Sequence, residues 1–159
     1  KDMEEMAADT CSPDTRLSDD MNHINPAKTA TLTQLMLGGL PTGRVGSPLY
    51  CRLRYFDPDN QRAGIPEDVA ALVEKLSDDT VTLTLVNINP IEPRKVVVQG
   101  GGYAEHEIAS VTPNGGESIE IGSSTFSIQL APGCGARLEI KTKRHANRPT
   151  LAFPWDRAL

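Results

Sequence analysis

Tyr103-Ala104-Glu105-His106-Glu107 is the densest gathering of reactive side chains in this 159-residue chain. Carboxylates at i and i+2 could bind a sugar or a cation, or act as acid and base. On a strand the three would not converge: Tyr103, Glu105 and Glu107 fall on one face, and His106 joins Ala104 and Ile108 on the other. Two readings therefore compete. One is catalysis by Glu105, His106 and Glu107; the other is a half-buried histidine bonded to a neighbouring loop.

Other combinations are weaker on chemical grounds. Asp57, Asp59 and Asp68 stand at positions one, three and twelve of a possible calcium loop, but Arg62 stands where that loop needs glycine. That leaves a looser cation site or a capped turn. Gly38-x4-Gly43-Arg44-Val45 lacks the Lys and Ser/Thr of a phosphate-binding loop. Gly133-Cys134-Gly135 runs into a strand and reads as a hairpin turn, not a dinucleotide fingerprint. Cys134 has no base in sequence to activate it as a nucleophile. His23, His106 and His145 show no ligand spacing. No cofactor is expected. Lys141, Lys143, Arg144, His145 and Arg148 form the one basic cluster, read either as a solvated strand face or as a receiver for the acidic segment of residues 1–20.

Charge separates the chain into two parts. Residues 1–20 carry seven acids against two bases, leaving fourteen of each in the remainder, so the net charge of −5 sits in the opening segment. Residues 1–30 read as an acidic, largely irregular arm. A neutral body argues against nucleic-acid binding, which calls for a basic surplus. No apolar run is long enough to cross a bilayer. The chain opens on Lys1-Asp2 and is read as trimmed, processed or cut from a longer one. Three scattered cysteines, Cys11, Cys51 and Cys134, argue against a disulfide framework, and reduced thiols are expected.

The elements that must position these groups are mostly strands. Residues 31–40 predict a short helix with a glycine stop. Residues 47–56 predict a strand, with Leu49, Cys51, Leu53 and Tyr55 opposite Arg52 and Arg54. Pro66-Glu67-Asp68 predicts the start of a second helix running to Leu76, with Val69, Leu72, Val73 and Leu76 as its buried stripe. From Thr80 the chain is β: strands are predicted at 80–88, 95–99, 103–111, 117–121, 125–130 and 136–143. Phe126, Ile128 and Leu130, then Leu138 and Ile140, alternate cleanly with polar residues. Thirteen glycines and twelve prolines fit the many turns. The fold class is mainly β, an antiparallel β-sandwich of about seven strands with two short helices before most of it. The sandwich domain spans 31–145, and 146–159 form an ordered extension, since Leu151, Phe153 and Trp155 are too apolar to stay in water.

The run VTLTLVNINPIEPRKVVVQGGGYAEHEI, followed by FSIQLAPGCGARLEIKTKR, resembles the C-terminal β-sandwich domains of multidomain bacterial carbohydrate-active enzymes, glycoside hydrolases among them. A "VN"-type turn, a Gly-rich hairpin and the Leu130-x-Pro132-Gly133 entry to the last strand carry the likeness, over residues 78–144. The resemblance implies a non-catalytic domain or processed subunit that packs on and stabilises a larger catalytic domain, and a secreted or periplasmic setting. Leu151, Phe153, Trp155 and Tyr103, with the helix at 32–37, are the expected contact surfaces. Two alternatives stand beside it. A free-standing carbohydrate-binding module is disfavoured by the scarcity of aromatics, 4% of residues. A small hydrolase or lyase would need Glu105, His106 and Glu107 to meet in one pocket.

Overall fold

The structure is a computed structural model that describes residues 4, 7, 8, 10, 29–39 and 49–157. Most of the acidic arm, Cys11, His23 and the loop at 40–48 lie outside the described residues. The chain divides into two compact units, Lys1–Thr31 and Leu32–Leu159. In the first, Glu4, Ala7 and Ala8 are helical and exposed. All the strands among the described residues belong to the second.

Helix α1 spans Ala30–Leu37. Gly38 ends it at φ +61°, where its N–H closes on the Gln34 carbonyl at 2.9 Å. This left-handed stop is the predicted one, and glycine adopts it without steric cost. Among the described residues nine strands follow: β1 (Leu53–Asp57), β2 (Arg62–Ala63), β3 (Val69–Leu76), β4 (Thr80–Asn87), β5 (Arg94–Gly100), β6 (Glu107–Pro113), β7 (Ile119–Ser123), β8 (Thr125–Leu130) and β9 (Gly135–Lys143). They form two antiparallel sheets, ordered β2-β1-β5-β8 and β3-β4-β9-β6-β7. Between them lies one core. Leu53, Tyr55, Val96, Val98 and Leu130 of the first sheet pack with Val81, Leu83, Leu85, Ile108, Leu138 and Ile140 of the second.

The mainly β, two-sheet expectation holds; the strand predicted over 47–56 begins only at Leu53, so Cys51 and Arg52 precede it, and three further details differ. The segment predicted as a second helix is strand β3, paired with β4 from Val69↔Asn87 to Leu76↔Val81. Asp68 sits at φ +62°, which breaks the helical first turn that Pro66 would have opened. From there Val69 and Val73 turn inward while Leu72 and Leu76 face out. An i, i+3, i+4, i+7 apolar stripe also contains the i, i+4 pair that a strand needs, and the free edge of β4 decided between them. Second, β2 adds a two-residue strand inside the loop predicted after Phe56. Third, the strand predicted over 103–111 begins only at Glu107, so Tyr103–His106 form a turn.

Strand β5 is buried on both faces. Its inner face meets the core. On its outer side Val97 pairs in register with Phe56 of β1, and Phe56 is covered by the rings of Phe153 and Trp155 from the C-terminal segment. That segment ends in a short 3₁₀ turn, Pro154–Asp156.

Candidate functional site

The predicted reactive cluster sits in the turn between β5 and β6. Gly101, at φ +83°, lets the chain double back so tightly that the Glu105 carboxylate lies over it, and any side chain at Gly101 would collide with that carboxylate. Glu105 accepts the Tyr103 backbone N–H on Oε2 at 2.7 Å. Ala104 takes φ +62°, a conformation L-residues rarely hold. The chain after β9 fastens this turn down. Asn147 N–H donates to the Glu105 carbonyl, Asn147 Nδ2 to the Ala104 carbonyl, and Thr150 N–H to the Tyr103 carbonyl.

His106 is buried, and its Nδ1 accepts the His145 backbone N–H at 3.1 Å. An accepting Nδ1 places the ring proton on Nε2. That atom is 4.0 Å from Glu105 Oε1, too long for a hydrogen bond. Burial holds the His106 pKa below its usual 6.5 against the opposing pull of Glu105, with His145, Arg52 and Arg144 also disfavouring the cation. The His145 ring meets it edge to face at 4.8 Å. Glu107, the first residue of β6, points elsewhere and binds Lys143 Nζ of the paired strand at 2.7 Å. The shared face expected for Tyr103, Glu105 and Glu107 does not form, because Tyr103 and Glu105 lie in the turn. The Tyr103 hydroxyl accepts the Leu49 N–H at 2.9 Å.

Sequence reasoning expected a reduced thiol at Cys51 but gave it no place in this cluster; it is free and buried, and it lies within the field of Glu105. Burial first, then the Glu105 charge, push its pKa up to about 12. A thiol so placed stays protonated and is a poor nucleophile. A cysteine, a histidine and a glutamate thus gather at one end of the sandwich. A working nucleophile–base pair needs a lowered thiol pKa and a base within hydrogen-bond reach, and this group has the reverse electrostatics. Its polar atoms close a turn.

The candidate cation ligands are parted in a similar way. Asp57 is buried and caps the β1–β2 turn, accepting Asn60 N–H and Nδ2 at 3.2 and 2.8 Å, with Arg62 Nε at 3.2 Å. Burial pushes its pKa up, but the Asn60 hydrogen bonds and Arg62 outweigh it and hold it below 3.8. Asp68 binds Asn89 Nδ2 at 2.9 Å and Arg94 at 3.1 Å. Asp59 is exposed. Among the described residues no group of three or more His, Cys, Asp or Glu is placed to hold a metal ion.

The C-terminal aromatics close on the body of the sandwich. Phe153 and Trp155 stack on each other at 5.1 Å, nearly parallel, and both meet Phe56 edge to face at about 6 Å. Rings stacked on one another do not present the joint flat platform that a sugar face needs. Arg157 secures the segment through the Ala152 carbonyl, Ser124 Oγ and Gln99 Oε1. Leu151 stays 81% exposed.

An apolar surface is left open on the body of the sandwich. Along the side of the sandwich where β7 and β8 are the free edges, Val111, Ile119, Ile121, Phe126, Ile128 and Leu138 line a groove of about 310 Å³. Its signal in the sequence was the alternation of Ile119 with Ile121, which names a face but not whether anything covers it. No helix among the described residues is long and apolar enough to cross a membrane. Comparison of the chain with protein-family models, curated proteins and solved structures finds no match.

Proposed function

We propose that this chain is a non-catalytic β-sandwich module that packs on and stabilises a larger protein. A carbohydrate-active enzyme is the partner class implied by the sequence resemblance. The observation that carries the reading is the open groove between β7 and β8, an apolar wall that continues the core to the surface, with Ile119 55% exposed. Apolar surface of this kind gains free energy when covered, at about 25 cal/mol per Å². The reactive groups support the same reading, since Glu105, His106, Glu107 and Cys51 are each committed to packing or to a turn.

The test is a charge placed in the groove. Ile119→Lys sits on an edge strand and is expected to leave the thermal midpoint close to wild type while releasing the chain from the assembly in which it purifies from its source. An unchanged elution of I119K alongside the same partner would exclude the groove as the contact.

A further inference from the structure

A second cavity, of about 400 Å³, lies between the C-terminal end of α1, the residues leading into β1, and β3. Leu35, Val73 and Leu76 supply apolar walls, and Tyr50, Arg52 and Arg144 bring polar groups to it. Arg52 is only 8% exposed, yet its Nε has no hydrogen-bond partner. One of its terminal nitrogens donates to the Asp78 carbonyl at 3.1 Å. Arg144 reaches the Tyr50 hydroxyl at 3.3 Å. Neither guanidinium has a carboxylate within ion-pairing distance among the described residues. Asp79, in the neighbouring β3–β4 turn, is engaged by the Ser77 and Thr80 hydroxyls.

A buried guanidinium with an unsatisfied N–H beside a second unpaired one is unfavourable unless something accepts those protons. Burial, and then the nearby charge of Arg144, hold the Arg52 pKa below the usual arginine range, which expresses the same electrostatic tension. An oxyanion answers both needs, since planar N–H forks match carboxylate or phosphate oxygens and one negative charge relieves the repulsion. The apolar walls ask for more than a bare ion.

We propose that the cavity bounded by Tyr50, Arg52, Arg144, Leu35, Val73 and Leu76 binds a small organic anion, its carboxylate or phosphate head on the two arginines and its apolar body against the leucines and valine. Tyr50 flanks the head group and donates its hydroxyl proton to it. The site is separate from the β7–β8 groove and stands whether or not the chain works within a larger assembly.

The test uses the full chain with hexanoate and phenyl phosphate as probes, and hexanol and inorganic phosphate as controls. Thermal midpoints and calorimetric titration are read on wild type and on Arg144→Gln, an exposed position whose replacement leaves the fold in place. Saturable binding of hexanoate, phenyl phosphate or both, weakened about tenfold or more in R144Q, is the expected result, and the preferred probe identifies the head group. Tyr50→Phe is expected to weaken the same probe less. Four outcomes would overturn the proposal: no saturable binding of either anion, binding unchanged in R144Q, hexanol binding as well as hexanoate, or inorganic phosphate binding as well as phenyl phosphate.

Discussion

His106 and Cys51 show how burial decides what a reactive residue can do. His106 is held neutral, with its pKa below 6.5 in the native state. The unfolded chain therefore takes up a proton that the folded chain declines once the pH falls through about 6.5. The stability associated with this residue is complete above that value and declines below it. Chemical denaturation at about pH 7.5 and about pH 5.5 is expected to show that decline. It is expected to be smaller in His106→Asn, whose amide oxygen can still accept the His145 N–H. An identical pH slope in the variant would remove His106 from the account. Cys51, with its thiol at about 12 and its side chain buried, is expected to resist alkylation in the native protein, whereas exposed Cys134 reacts. Peptide mapping after a short exposure to iodoacetamide reads both sites at once.

Strand β3 and the turn after β4 carry the lesson at the level of elements. In β3, Val73 faces the core and Leu72 is 42% exposed. A helix would have buried both. Val73→Ala is expected to cost about 2 kcal/mol, and Leu72→Lys less than about 0.5 kcal/mol, by urea denaturation. Comparable losses at the two positions would contradict the strand. Asn87 is fully buried at the end of β4. Its amide donates to the Glu92 carbonyl at 2.8 Å and lies near the Leu130 and Ala131 carbonyls, while its oxygen accepts the Asn89 N–H. It ties the β4–β5 turn to the start of the β8–β9 turn, and Asn87→Ala is expected to cost about 2–3 kcal/mol.

These elements also mark what could be read from the sequence. The strands β4, β8 and β9 were legible because alternation and turn residues agree there, and β5 because its Val96-Val97-Val98 run is bounded by turn residues. The β3 strand was not, because Val69, Leu72, Val73 and Leu76 satisfy a helical period as well, and only the pairing edge of β4 separates the two. Glu105 and His106 were placed on a strand that begins four residues too early. The turn that holds them depends on Gly101 folding under Glu105, a contact with no local pattern. Arg52 and Arg144 were visible singly, one on a strand face and one in a basic cluster. Their meeting at one cavity depends on long-range packing that no spacing in sequence expresses.

At the scale of the molecule, the outer face of the first sheet is closed by the chain's own C-terminal segment, and the β7–β8 side is left open. Trp155 is the single tryptophan, so its fluorescence reports that closure directly. Its transition on denaturation is expected to coincide with that of the sheet signal in circular dichroism, and an earlier Trp155 transition would show the segment to be an independent flap. Trp155→Ala, which uncovers Phe56 while removing a half-buried ring, is expected to cost about 1–2 kcal/mol. The open side bears on the proposal that this chain packs on a larger protein. The direct measurement is the native mass of the chain purified from its own source, with every co-purifying chain identified. A stable assembly well above the 17.2 kDa of the chain, retaining one defined partner, is the expected result. A well-folded monomer of that mass, alone, would contradict it.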